Sequence, residues 1–231
     1  MPYDYEEALV WANDRTSPHL GRRFDSTGRF LPEHGNTVVA QVVPGSPTEA
    51  ALIGLRAALQ ALPHADRFAF TAVESYHMTV FEGVTDTRRI DGFWPEGLSL
   101  DLPIDEVTAR MIERLAHWQA PPPFRMRITE VTPLGLRLTG ATARDEALAR
   151  EWRDSLGHAL RLRTPRHAAY GFHTTLAYVM TPLPAAALPA LRRTMDDLTA
   201  RIQAAVPVLD LARPAFCRFA DMNAFPPVLA L

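Results

Sequence analysis

The chain has 231 residues and a net charge of −2, with 47% hydrophobic and 22% charged residues, the composition of a globular protein with enough apolar material for a core. So small a charge gives no field to gather a long polyanion, so long duplex nucleic acid is not an expected partner, while a small phosphorylated ligand is. All 24 basic residues are arginine, which excludes lysine Schiff-base chemistry and a Walker-type phosphate loop.

The N-terminus, Met1-Pro2-Tyr3-Asp4-Tyr5-Glu6-Glu7, is acidic and lacks the basic start and apolar stretch of a secretory signal. Residues 1–35 read as an irregular segment, with turns at Asp25-Ser26-Thr27-Gly28 and Pro32-Glu33-His34-Gly35. β-branched residues predict a strand from Thr37 to Val43. Ser46, Pro47 and Glu49 then predict a capped helix, with a capping box, running to about Leu62 before Pro63. Strands are expected over 68–73 and 76–84, a loop over 86–103, and a helix from Ile104 to Trp118 with Val107, Met111, Leu115 and Trp118 on one face.

Pro121-Pro122-Pro123 is the strongest punctuation, and the boundary between two lobes is placed at 119–123. Strands at 124–132 and 136–139 follow, then a helix over 143–162 with Leu148, Trp152, Leu156 and Leu160 on one stripe. A loop over 163–170 leads into a strand through His173 that ends near Met180. A last helix over 184–205, with Pro189 near its start, precedes strands at 208–211 and 215–220. The single cysteine, Cys217, permits no intrachain disulfide and reads as a core strand residue in a reducing compartment. No run approaches the ~18 apolar residues of a membrane span. A monomer in the cytoplasm is expected.

This order repeats weakly at about 96 residues: strand, helix and motif strand in each half. The expected class is α+β: a single domain over 1–231 with two pseudo-symmetric lobes, largely antiparallel sheets forming a central groove, and helices outside.

Two segments carry the chemistry, His77-Met78-Thr79-Val80 and His173-Thr174-Thr175-Leu176. Each is histidine, spacer, threonine, apolar residue, on a predicted strand. Given 8 histidines in the chain, such a pattern arises about 0.3 times by chance, and twice about 4% of the time. Side chains alternate along a strand, so His77 shares a face with Thr79, and His173 with Thr175. Brought together, the pairs surround one small anion with two proton-transfer groups and two hydroxyls.

The duplicated motif resembles the two-histidine (2H) phosphoesterases, which include RNA 2′,3′-cyclic phosphodiesterases and RNA-ligase-like proteins. The two motifs lie 96 residues apart and the resemblance covers roughly residues 36–180. Gly35-Asn36-Thr37-Val38-Val39 and Gly28-Arg29-Phe30 are similar to an uncharacterised bacterial branch. The resemblance implies two lobes facing across a groove and a 2′,3′-cyclic phosphate, on RNA or a small nucleotide, as substrate. Further substrate classes are 2′,5′-linked oligonucleotides, as in ligase-like RNA processing, and a cyclic ADP-ribose phosphate.

Diester cleavage must take a proton from a nucleophile, give one to a leaving oxygen and hold phosphoryl charge. Histidine, with an ordinary pKa of about 6.5, suits both proton transfers. His77 and His173 are therefore the expected base and acid in either order, and Thr79 and Thr175 the expected donors to non-bridging oxygens. No cofactor or metal is required. Alternation puts Phe81 and Ala177 on the histidines' face, where Phe81 is placed to stack on a base or ribose. It turns Tyr76, Met78, Phe172, Thr174, Leu176 and Tyr178 to the core. Cationic help is expected first from Arg163, Arg166 and His167 before the second motif, then from Arg213 and Arg218 near the last strand; Asn36 and Thr37 border the groove or act as caps.

Rival readings are a metal site of His77, His173 and His167, a non-catalytic sensor of nucleotides or phosphometabolites, and a serine or cysteine hydrolase. Zinc-like spacing is missing, and so are G-x-S-x-G and any motif around Cys217. Two histidines exceed what binding alone requires.

Overall fold

The computed structural model describes Leu9 and residues 17–231; the readings of the N-terminal heptapeptide and of an irregular segment before residue 17, Leu9 apart, fall outside the described residues. From Ser17 to His34 the chain turns repeatedly, with Phe24 bridged to Leu20 and Phe30 and fully buried.

The β-branched run forms β1 (Gly35–Gln41), which lies between β3 (His77–Thr85) and β8 (Ala215–Phe219); β9 (Pro227–Ala230) completes a sheet of order β3-β1-β8-β9. A second sheet joins β4 (Met126–Thr132), β5 (Gly135–Gly140) and β6 (His173–Thr175) in that order. β2 (Phe68–Phe70) pairs with β7 (Ala177–Val179) in a third. Every strand pairing is antiparallel, as expected of an α+β fold. The motif strands β3 and β6 each end their sheet, and these two edges lie against each other.

The helices are α1 (Pro47–Gln60), α2 (Ile104–Leu115), α3 (Ala143–Leu160) and α4 (Leu188–Ala205). Ser46 caps α1 by accepting from the Glu49 amide, but the Glu49 carboxylate bonds the Gly45 amide at 2.7 Å, so the expected reciprocal box is only half made. A full box forms at α3, between Thr142 and Asp145. The helix expected to reach Trp118 stops at Leu115; Trp118 instead packs edge-on against Trp152 and donates to Ser155 Oγ at 2.7 Å. Pro189 sits in the first turn of α4, where its missing N–H costs nothing.

One core cluster draws on both larger sheets and these four helices, including Val38, Leu52, Met78, Met111, Trp152, Phe172, Met195 and Phe216. Each such side chain contributes about 1.5–3 kcal/mol by burial. The buried face of α3 runs Ala149, Trp152, Arg153, Leu156, Leu160, so an arginine holds a core position.

Two strand expectations are corrected. Residues 208–211 form no strand; only Leu211 bridges to Val42, and β9 is the final strand. Its Pro227 begins the sheet's outer strand, a place where a missing donor is tolerated. The strand through His173 also fails to run unbroken to Met180. The Leu176 and Ala177 amides both donate to the Leu134 carbonyl, at 2.8 and 3.1 Å, which stops side-chain alternation and hands the chain from β5 to β2.

Candidate active site

His77 opens β3 opposite Gln41, and His173 opens β6 opposite Arg137. Both imidazoles are held in the same way. His77 Nδ1 lies 2.5 Å from the carbonyl of Ser75, and His173 Nδ1 lies 2.9 Å from the carbonyl of Gly171. A carbonyl only accepts, so each Nδ1 carries the proton and donates it two residues back along the chain. This leaves each Nε2 as the atom free for chemistry.

The two rings differ in setting. His77 is half-buried, with Phe225 at 4.2 Å between ring centroids; His173 is exposed beside Tyr170 at 5.7 Å. Burial pushes the His77 pKa down to about 4, opposed by its bond to Ser75 and reinforced by charge on His173. That coupling places the second imidazole within electrostatic reach of the first. His77 is thus neutral at pH 7 and able to accept a proton.

Past each threonine, strand alternation fails. On β3 the register slips between Thr79 and Phe81, so Val80 is an extra residue. Val80 and Phe81 both enter the core, and the half-buried Glu82 follows Thr79 on the histidine face. In the second motif the break at Leu176–Ala177 buries Ala177 and brings Tyr178 to Thr175. Phe81 is therefore not a substrate-stacking residue: it is 2% exposed and packs against His167. Ala177 and Tyr178 exchange the sides that simple alternation gave them.

Each motif threonine is backed by a tyrosine and an arginine. Tyr170 lies beside Thr79, and the Arg153 guanidinium lies 3.8 Å from the centre of the Tyr170 ring. Tyr178 lies beside Thr175 and against Arg23, whose guanidinium is 5.1 Å from its ring centre. Burial raises the pKa of both phenols. Both phenols therefore stay protonated at neutral pH beside their threonines.

Arg153 also donates to the carbonyl of the extra residue Val80 at 2.7 Å, so it braces the irregularity that turns Glu82 to the histidine face. Arg23 is fixed by Glu33 at 2.7 Å. Burial alone would raise the Glu33 pKa, but Arg23, Thr87 and Arg22 outweigh it and hold the carboxylate below its usual range.

Of the arginines expected near the anion, Arg218 is ruled out by its face. Paired opposite Asn36, it lies on the side of the sheet away from Thr37, and it makes an ion pair with Asp105 at the start of α2. Arg166 is exposed in the loop before β6 with no side-chain hydrogen bond among the described residues. Arg163 is exposed near Asp154, and Arg213 is exposed before β8. His167 Nε2 is 2.9 Å from Asp154 Oδ1 and its ring faces Phe81, which removes it from any triad with His77 and His173. Asn36 is buried against Thr108, and Thr37 donates to the Phe81 carbonyl. Cys217 is a buried thiol, pushed up to about 12 by burial. Among the described residues no three His, Cys, Asp or Glu side chains are grouped to hold a metal, and no helix is long and apolar enough to cross a membrane.

Sequence reading missed Tyr170, Tyr178, Arg153, Arg23, Glu82 and Phe225 as neighbours of the motifs. Arg153 alone left a signal, as a charged residue on the buried stripe of a helix.

Residues 23–137, which include the first motif, match a family model described as 2H-phosphodiest, a domain of unknown function (DUF1868). The crystal structure of a conserved protein of unknown function from Agrobacterium tumefaciens matches with a TM-score of 0.95 and 40% identity, over 98% of this chain and 98% of that one. No curated protein matches.

Proposed function

The chain belongs to the two-histidine phosphoesterase superfamily, and we propose that it hydrolyses a 2′,3′-cyclic phosphodiester, on an RNA end or a small nucleotide, by metal-independent acid/base catalysis. The observation that carries this reading is that His77 and His173, distant in sequence, open two edge strands that lie against each other, with each Nδ1 tied to a carbonyl and each Nε2 free.

His77, kept neutral by burial, is the base: its Nε2 takes a proton from water as the water oxygen bonds to phosphorus. His173 is the acid: its Nε2 gives a proton to the 2′ or 3′ oxygen as the P–O bond breaks, and a phosphomonoester leaves. Thr79 and Thr175 donate to the non-bridging oxygens, with Tyr170 and Tyr178 beside them.

The test is turnover of adenosine 2′,3′-cyclic phosphate, with and without a chelator, by the protein and by the variants His77→Ala and His173→Ala. The expected result is release of a phosphomonoester unaffected by the chelator, and a loss of about 10²–10⁴-fold in each variant. Near-normal turnover by either variant overturns the assignment. Loss of activity on chelation overturns the metal-independent mechanism.

A further inference from the structure

Beyond the histidines and threonines the two motif rows lead to a second cationic centre, organised by Glu33. This carboxylate is 2% exposed. It accepts from Arg23 Nε at 2.7 Å and from Thr87 at 2.5 Å, with Arg22 Nε at 3.9 Å. Arg88 is next in the chain to Thr87 and half-buried, its guanidinium 4.1 Å from the Phe93 ring centre.

Glu33 thus joins Arg22 and Arg23 to the segment that carries Arg88, and after burial the charges of Arg23 and Arg22 oppose that of Arg88. The acidic groups facing Arg88 are Glu82 and Glu33. His19, bonded to Arg22, adds no charge at neutral pH, because burial and the two arginines push it down to about 4. Positive charge is left in excess.

The three cations are not equally committed. Arg23 is held by Glu33 and Tyr178. Arg22 has a buried Nε without a hydrogen-bond partner. The Arg88 side chain has no hydrogen bond or ion pair among the described residues. A buried donor without an acceptor and a half-buried cation with no anion in hydrogen-bond contact are both unfavourable as they stand, and an added anion relieves both.

The centre also adjoins the motif rows at two points. Arg23 touches Tyr178 behind Thr175, and Arg88 is coupled to Glu82, which follows Thr79 on the histidine face. Thr79 and Glu82 pair with Val39 and Thr37, two residues apart on β1, so at about 3.3 Å per strand residue Glu82 lies roughly 7 Å beyond Thr79, a span that an arginine side chain shortens.

We propose that Arg22 and Arg88 form a second anion subsite that takes a phosphomonoester carried by the substrate in addition to the diester held at the histidines. This rests on the reading of the catalytic site given above. Two guanidinium forks suit a phosphate dianion, which accepts several charge-assisted hydrogen bonds at once. The enzyme would then select a cyclic phosphate whose other end bears a 5′-phosphate.

The experiment compares adenosine 2′,3′-cyclic phosphate with and without a 5′-phosphate. Binding to the His77→Ala protein is measured calorimetrically, and hydrolysis by the unaltered protein is measured in parallel. The 5′-phosphorylated compound is expected to bind about tenfold or more tightly, the size of one charge-assisted hydrogen bond. In the His77→Ala background, Arg22→Gln and Arg88→Gln abolish that preference, whereas Arg218→Gln, on the far face of the sheet, keeps it. Equal affinity for the two compounds, including no binding of either, overturns the subsite without recourse to any arginine variant. So does a preference that survives Arg22→Gln and Arg88→Gln. Preference without hydrolysis by the unaltered protein refutes the catalytic reading and leaves the subsite standing. Hydrolysis without preference does the reverse.

Discussion

Tyr170, three residues before the second motif histidine, lies beside Thr79 of the first motif and under the Arg153 guanidinium. The pair brings the two motifs together across the junction of β3 and β6. Tyr178 lies beside Thr175 in the same way within the second motif.

Removing the Tyr170 hydroxyl tests whether Thr79 needs that neighbour. In Tyr170→Phe the ring and its stacking on Arg153 remain while the hydroxyl beside Thr79 goes, a change of about 0.5–1.5 kcal/mol. Turnover of a cyclic phosphate is expected to fall about tenfold in kcat with little change in KM. Steady-state kinetics of Tyr170→Phe and Tyr178→Phe decide it: wild-type kcat in both would detach the tyrosines from catalysis.

Arg153 is the most consequential buried charge. It is 2% exposed, donates to Val80, stacks on Tyr170, and burial lowers its pKa. Replacing it with Met preserves bulk but leaves the Val80 carbonyl without this donor, and a loss of about 2–4 kcal/mol is expected. Lys will not rescue it, because a point charge cannot bond Val80 and cover the Tyr170 ring together. Urea denaturation of the two variants is the measurement, and stability within about 0.5 kcal/mol of wild type would contradict this account.

Gly135 turns the β4–β5 hairpin with φ +138°, and a Cβ there would meet the Thr174 carbonyl oxygen at 2.0 Å. That carbonyl belongs to the second motif. Gly135→Ala should destabilise the protein by about 2 kcal/mol or more and displace β6. Thermal melting reports the first effect, and loss of cyclic-phosphate turnover well below the melting temperature reports the second.

The depressed pKa of His77 has two consequences for pH. With His77 as base, the acid limb of kcat/KM falls near pH 4 rather than near the ordinary histidine value of 6.5. In stability, the unfolded chain holds a proton on this imidazole between about 6.5 and 4 that the folded chain does not. The fold therefore loses stability as pH drops through that window. His19 acts in the same direction. Urea midpoints at pH 7, 5.5 and 4.5 are expected to fall less steeply in His77→Gln than in the unaltered protein, and equal slopes would remove His77 from the account.

Much of this was legible from residues alone. Hydrophobic spacing located the four helices to within a few residues, and β-branched runs located β1 and β3. Composition and the antiparallel bias of short strands indicated the class. The His-x-Thr pairs were visible because two residues on one strand share a face through local geometry.

Past those two residues local geometry stops deciding. Alternation sends Phe81 to the histidine face; the extra residue Val80, opposed by β1 and bonded by Arg153, sends Glu82 there instead. Alternation sends Tyr178 to the core; two amides sharing the Leu134 carbonyl bring it to Thr175. Arg218 looked available because its partner Asp105 is 113 residues away in sequence. The residues by themselves determined that two strands each present a histidine and a threonine on one face. The tertiary structure alone decided what surrounds each pair, because a bulge, a change of sheet and a buried arginine are set by hydrogen bonds to chain segments distant in sequence.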